Sequence, residues 1–130
     1  MRGSRSDGLA MSGKSATVLL LKDFRTAGRR PLYFTRFELN QLLGLYSRNV
    51  ARGVWRDYAI DHRDGLALFS VFRHTHESAA YTIVKSAPSA SGITEYTVMS
   101  GRQRLRVSKS LSEALEFFRS KLSLIPAAGS

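Results

Sequence analysis

Four basic side chains near the C-terminal end of the chain form the pattern best suited to binding chemistry. They are Arg102, Arg104, Arg106 and Lys109. On a β-strand the three arginines would alternate to one face at intervals of about 7 Å, similar to the spacing of phosphates along one nucleic-acid strand. An edge strand that carries charge to prevent aggregation would show the same pattern. The sequence leaves both interpretations open.

A second candidate site is apolar. Trp55, Leu68 and Phe72 are predicted to share one face of a β-hairpin, opposite the face that helices cover. Exposed aromatic side chains on a sheet can stack on bases. However, Asp57 and Asp61 are predicted to lie on the same face, where their carboxylates would repel phosphate. A homodimer or protein-partner surface therefore suits this face better than nucleic acid does.

The segment Gly8–Ser15 matches the phosphate-loop pattern G-x-x-x-x-G-K-[ST]. That loop works between a buried strand and a helix, which together aim backbone amides at the phosphate. Here a polar tail precedes the match, and the strand-like run Thr17–Leu21 follows it. We interpret the match as a coincidence in a tail rich in glycine and serine, and we expect no bound cofactor.

The histidines and carboxylates do not converge on a catalytic or metal site. His74 and His76 point the same way on a strand, but a metal site needs three or four ligands, and His62 is about 30 Å away along the hairpin. Asp57 and Asp61 are about 13 Å apart, too far for a glycosidase pair, and we expect nearby arginines to neutralise them. No G-x-S-x-G nucleophile motif occurs. The sequence thus predicts neither a metal site nor an enzyme.

Composition limits the class of protein. The chain has 130 residues, 43% of them hydrophobic, which suffices for one packed domain. It has no cysteine, which excludes disulfides and thiolate ligands and suits a reducing compartment. The net charge of +10 favours polyanionic partners, although a solvated basic surface is the simpler explanation. The longest apolar run, Val18–Leu21, is too short for a membrane span or a secretion signal, so we expect a cytoplasmic protein with no membrane partner.

The charge is shared equally between residues 1–31 and residues 32–130, each with a surplus of five basic residues. Residues 1–16 are predicted to be a flexible basic tail, and residues 17–126 a single domain. Residues 17–22 are predicted to form a short strand, followed by a loop that contains Arg29 and Arg30. These two arginines are further candidates for phosphate contacts.

The segment Trp55–Arg73 predicts a β-hairpin. Two runs of apolar and β-branched residues flank Asp64 and Gly65, the dipeptide that best tolerates a type I′ turn. Arg63 should then face Leu66, and the pairing should run outward from there. The helix-facing side of this hairpin is predicted to carry Tyr58, Ile60, Phe69 and Val71.

Two helices are predicted from capping boxes and apolar stripes. Thr35 with Glu38, and Ser110 with Glu113, have the spacing at which side chain and backbone satisfy each other at a helix start. The first stripe comprises Leu39, Leu42, Leu43, Tyr46 and Val50. The second comprises Leu111, Ala114, Leu115, Phe118, Leu122 and Ile125, and it ends before Pro126.

Further short strands are predicted near residues 32–34, 80–85, 93–99 and 103–107. Tight turns between the middle strands demand antiparallel neighbours. Two helices with one apolar stripe each bury those stripes most simply on one face of a sheet. We therefore predict an α+β fold: a four- to five-stranded antiparallel meander sheet with two amphipathic helices packed on one face.

Four segments carry a resemblance to a known family. They are Tyr33–Trp55 (YFTRFELNQLLGLYSRNVARGVW), Trp55–Asp61 (WRDYAID), Phe69–Arg73 (FSVFR) and Tyr81–Lys85 (YTIVK). They resemble a small alphaproteobacterial family, domain-of-unknown-function family 2794, over roughly residues 32 to 124. The resemblance implies a bacterial cytoplasmic protein and brings no reaction or ligand with it.

The sequence therefore favours a small domain that binds rather than catalyses. The first hypothesis is binding of RNA or DNA, mainly through phosphates. Its candidate contacts are Arg102, Arg104, Arg106, Lys109, Arg29 and Arg30. The second hypothesis is a protein-interaction or homodimeric regulatory module that uses the open sheet face with Trp55, Leu68 and Phe72.

Overall fold

A computed structural model describes residues 31–75, 77–87 and 92–122 of the chain. The helices and strands are α1 (Arg36–Ala51), β1 (Asp57–Arg63), β2 (Leu66–Phe72), β3 (Tyr81–Ser86), β4 (Glu95–Ser100), β5 (Gln103–Ser108) and α2 (Leu111–Leu122). The strands form one sheet in the order β1-β2-β3-β4-β5, and each is antiparallel to the next. The predicted α+β meander is confirmed. The predicted tail and the strand at 17–22 lie outside the described residues.

The predicted strand at residues 32–34 does not form. The carbonyl of Tyr33 accepts a hydrogen bond from the Lys85 side chain (2.7 Å), and Phe34 is buried in the core. A side chain therefore satisfies the backbone there, and the segment leads directly into the capping box of α1.

Helix α1 begins as predicted. The amide of Glu38 donates to Thr35 Oγ1 (3.1 Å), and the amide of Thr35 donates to Glu38 Oε1 (2.8 Å). Four residues of the predicted stripe face the core: Leu42 is buried, and Leu39, Leu43 and Tyr46 are half-buried against it. Val50 is 40% exposed and does not belong to the stripe. The buried residues of α1 are Glu38, Leu42, Leu45 and Asn49. Asn49 is buried because its Nδ2 donates to the Leu45 carbonyl (2.9 Å), so two polar residues occupy the helical positions that face the core.

Gly44, in the middle of α1, is expected to lower the stability of the helix. A Cβ placed there would have ordinary van der Waals contact with Arg48 Nη1 at 3.5 Å. Gly44→Ala is therefore expected to raise the free energy of unfolding by about 0.5–1 kcal/mol, because alanine loses less backbone entropy on folding. Chemical denaturation measures this gain, and an unchanged or lower stability would contradict it.

The β1–β2 hairpin matches the predicted register. Arg63 pairs with Leu66, and the turn residues Asp64 and Gly65 have φ angles of 55° and 75°, as a type I′ turn requires. Tyr58 pairs with Val71, and Ile60 with Phe69, which confirms that these four side chains share one face.

Both helices pack on the same face of the sheet, as predicted. Their buried residues join those of the strands in one cluster, which we call the helix-side core. It comprises Phe34, Leu42, Leu45, Trp55, Ala67, Phe69, Val71, Tyr81, Ile83, Tyr96, Val98, Leu111, Ala114 and Phe118. Phe118 contacts Trp55 and Tyr81 with edge-on rings at centroid distances of 5.5 and 5.0 Å. Aromatic packing thus fixes α2 against the sheet.

The other face of the sheet is also buried at its centre. Leu66, Leu68, Val84 and Met99 form a second cluster in which no side chain is more than 2% exposed. The prediction of an open sheet face is therefore wrong. The cause is visible in β3, where all six residues are buried, as expected for a central strand covered on both sides.

Candidate nucleic-acid interface

Strand β5 forms one edge of the sheet and carries the predicted basic set. Arg102 lies in the turn before the strand, and Lys109 lies directly after it. All four basic residues of the set are exposed. The sequence contains no acidic residue from position 96 to position 112. The edge is therefore a continuous positive segment.

The predicted single row of arginines is wrong because β5 contains a β-bulge. Val98 pairs with Arg106, but Met99 pairs with Arg104, so Leu105 is an extra residue in β5. Paired residues share a face of the sheet. Arg106 therefore lies on the face of the helix-side core with Val98, and Arg104 lies on the opposite face with Met99.

Packing explains the bulge. Leu105 packs against the helix-side core, whereas Val107 is 48% exposed. A bulge re-aims side chains and increases the local twist of an edge strand. The basic side chains consequently surround the edge of the sheet, where one nucleic-acid backbone could contact them from the side.

Arg106 is anchored to helix α2. Its Nη1 donates to the carbonyl of Glu113 at 2.8 Å. The predicted second capping box is only half formed: the Glu113 amide donates to Ser110 Oγ (3.3 Å), but the Glu113 carboxylate accepts from Ser108 Oγ (2.8 Å). Ser108 Oγ in turn accepts from the Ser110 amide (3.1 Å). These bonds fix the end of β5 to the start of α2.

The remaining predicted contacts cannot be placed beside this edge. Arg29 and Arg30 lie outside the described residues, as does the phosphate-loop match at residues 8–15. The contribution of Arg29 and Arg30 to binding remains a prediction.

Trp55, Leu68 and Phe72 do not form a joint surface. Trp55 is 1% exposed and lies in the helix-side core, whereas Leu68 is 2% exposed in the second cluster. Phe72 is half-buried. The predicted placement of Trp55 is wrong because β1 begins only at Asp57. The amide of Trp55 instead donates to the Asn49 carbonyl at the end of α1 (3.2 Å).

The structure brings no metal site together among the described residues. They contain no group of three histidine or acidic residues close enough to hold an ion. His62 contacts the ring of Tyr33 at 4.7 Å, and His76 lies outside the described residues. Asp61 forms an ion pair with Arg63 at 2.8 Å, as predicted. Within the part of the chain that the structure describes, no helix has the length and apolar character to cross a bilayer.

The sequence reasoning missed a buried charged cluster under the start of α1. Lys85 Nζ lies 2.8 Å from Glu38 Oε1, and the hydroxyl of Tyr96 donates to Glu38 Oε2. All three residues are at most 8% exposed. We call Glu38, Lys85 and Tyr96 the buried triad. The one available signal was the position of Lys85 inside the apolar run YTIVK.

The buried triad has perturbed ionisation. Burial alone would raise the pKa of Glu38, but hydrogen bonds from Lys85, Tyr96 and the Thr35 amide together lower it below 4.5. Burial, and then the neighbouring carboxylate, raise the pKa of Tyr96 above its ordinary value of 10.0. Each charged group has a partner, and the triad joins α1 to β3 and β4. We interpret it as a structural tie rather than a catalytic site.

Comparison with known proteins gives one match. The model of a family described as "Protein of unknown function (DUF2794)" matches residues 32–115, well over half of the chain. The matched region contains α1, the whole sheet and the start of α2. No curated protein and no solved structure matches the chain.

Proposed function

We propose that this chain, which belongs to the DUF2794 family, binds RNA or DNA, mainly through phosphates, and does not catalyse a reaction. The family model extends across the basic edge at β5. The proposal therefore concerns the matched domain and does not depend on residues 1–31.

One observation carries the proposal. Arg102, Arg104, Arg106 and Lys109 are all exposed within eight consecutive positions that span the edge strand β5 and one residue on either side of it, with no acidic residue among them. Cations at this density attract a phosphate backbone and release its counterions, which supplies affinity without base recognition. The anchoring of Arg106 on the Glu113 carbonyl supports the proposal further, since an oriented guanidinium loses less entropy on binding.

The experiment measures binding of the full chain to a short single-stranded RNA and to a DNA duplex at about 50 mM and about 200 mM salt. Four phosphate contacts predict that affinity falls roughly 50- to 150-fold between these conditions. The double variant Arg102→Glu with Lys109→Glu should lower the slope of log affinity against log salt by about two. These two residues have no bond to α2, so the anchor of Arg106 is kept.

The matched control is Arg56→Glu with Arg73→Glu. Both positions are exposed and flank the β1–β2 hairpin, and the change in net charge is the same. The control should lose far less affinity than the edge variant. Equal losses would show that only total charge matters, and the absence of salt-sensitive binding would reject the proposal.

A second candidate is a protein-interaction module. Two exposed aromatic side chains favour it: Tyr33 and Phe37, 58% and 71% exposed, adjoin the start of α1. This candidate predicts self-association or partner binding that is insensitive to salt. Sedimentation of the chain at several concentrations and at both salt levels tests it, with Phe37→Ser as the variant that should weaken association.

A further inference from the structure

A groove of about 560 Å³ runs between α1 and α2, and no residue of the basic edge at β5 lines it. A hydrogen bond from Gln41 Nε2 to Ser112 Oγ (2.9 Å) joins the two helices at the groove. Grooves of this volume hold ligands of the size of a metabolite. No local sequence pattern indicates the groove, because its residues come from two helices far apart in the chain.

The lining combines guanidinium groups with an apolar wall. Arg48 comes from the last part of α1, Arg52 follows α1 directly, and Arg119 comes from α2. Leu45 and Phe118, both buried in the helix-side core, form part of the wall. Guanidinium forks bind phosphate oxygens with two parallel hydrogen bonds, and an apolar wall suits a flat ring.

The charges of the groove are unbalanced. Glu116 is the one carboxylate among the described residues of the lining, and it pairs with Arg119 at 3.4 Å while Arg119 remains largely exposed. Arg48 and Arg119 against Glu116 leave an excess of positive charge in this part of the groove. Gly44 also lines the groove, and Arg48 Nη1 lies 3.5 Å from the position that a Cβ on Gly44 would occupy. The absence of a side chain at Gly44 thus leaves space beside a guanidinium group.

We propose that this groove binds a phosphate-bearing ligand of nucleotide size, with Arg48 and Arg119 contacting the phosphate. The same chemistry has two possible sources, a free mononucleotide or one nucleotide of a bound nucleic acid. The proposal does not depend on the basic edge at β5, since none of its residues lines the groove.

The experiment titrates the full chain with adenosine 5′-monophosphate, adenosine and inorganic phosphate, and follows binding by calorimetry. The monophosphate should bind at least tenfold more tightly than adenosine, because the arginines recognise the phosphate. The double variant Arg48→Gln with Arg119→Gln should lower that affinity at least tenfold. Arg36→Gln, an exposed position on α1 outside the groove, is the matched control and should leave the affinity unchanged.

A second variant tests the space rather than the charge. Gly44→Leu keeps every arginine but fills the groove, and it should also lower the affinity for the monophosphate. Thermal unfolding of each variant shows that it is folded. Any one of three results would overturn the proposal. The first is equal affinity for adenosine and its monophosphate, and the second is no binding of the monophosphate at millimolar concentration. The third is full affinity in a folded Arg48→Gln with Arg119→Gln variant.

The remaining measurements separate this site from the basic edge and identify the source of the ligand. The edge variant Arg102→Glu with Lys109→Glu should keep its affinity for the monophosphate, so either site can fail without the other. Competition between the monophosphate and a short RNA would identify nucleic acid as the source. Simultaneous binding of both would identify a free nucleotide.

Discussion

Lys85→Met is expected to lower the free energy of unfolding by about 3–5 kcal/mol at neutral pH. The substitution keeps most of the volume of the side chain but leaves the Glu38 carboxylate buried without its cation. A lone buried charge loses its hydration and gains too little in return. The substitution also removes the hydrogen bond that Lys85 donates to the Tyr33 carbonyl. Chemical denaturation of both chains measures the loss.

The loss should depend on pH. In the native protein the pKa of Glu38 is lowered, so its ionisation stabilises the fold above about pH 4.5, and this contribution is lost as the pH falls through the folded-state pKa. In Lys85→Met the lone carboxylate should favour its neutral form. The difference in stability between the two chains should therefore shrink as the pH is lowered. A difference that is constant with pH would contradict the assigned charge pair.

Two comparisons isolate the pair. The double variant Glu38→Gln with Lys85→Met removes both charges and should recover much of the stability that the single variant loses. Arg63→Met breaks the half-exposed pair with Asp61 and should cost less than about 1 kcal/mol.

The pKa of Tyr96 is raised, so its hydroxyl stabilises the fold below pH 10.0, and this contribution is lost in more alkaline solution.

Trp55→Ala is expected to destabilise the chain by about 3–5 kcal/mol, the range for deleting a large buried aromatic side chain. Trp55 is 1% exposed, and its ring contacts those of Tyr81 and Phe118 at centroid distances of 6.4 and 5.5 Å. Removal leaves a cavity between α2 and the sheet. Calorimetry or denaturation of the variant measures the effect.

Trp55→Phe provides the matched comparison. It should cost clearly less than Trp55→Ala because an aromatic ring remains and the buried Nε1, which has no hydrogen-bond partner, is removed. Phe37→Ala, at a position 71% exposed, should change stability by no more than about 0.5 kcal/mol. A fully stable Trp55→Ala that instead changed self-association would place Trp55 at an interface and contradict the structure.

The features that sequence predicted well are determined within a few residues. Asp64 and Gly65 adopt the positive φ angles of their turn, and this sets the register of the whole β1–β2 hairpin. Thr35 and Glu38 satisfy each other across three residues. The family resemblance is confirmed for residues 32–115.

The features that sequence missed depend on distant contacts. Lys85 meets Glu38 across 47 residues, and no local pattern specifies that pairing. The bulge at Leu105 follows from packing in the core. It places Arg104 and Arg106 on opposite faces of the sheet, although each residue taken alone suits a strand. Arg48 and Arg119 line one groove although they lie 71 residues apart in the chain, because both helices pack on the same face of the sheet.

The order of the strands has a consequence for how the chain folds. Every pairing among the five described strands joins strands that are consecutive along the sequence, so each strand pairs with a neighbour in the chain. Short loops lose little entropy on closing, and topologies with local pairings fold faster than those with remote ones. We therefore expect the sheet to form hairpin by hairpin from the turn at Asp64, and α1, which precedes all five strands, to pack on it as a later step.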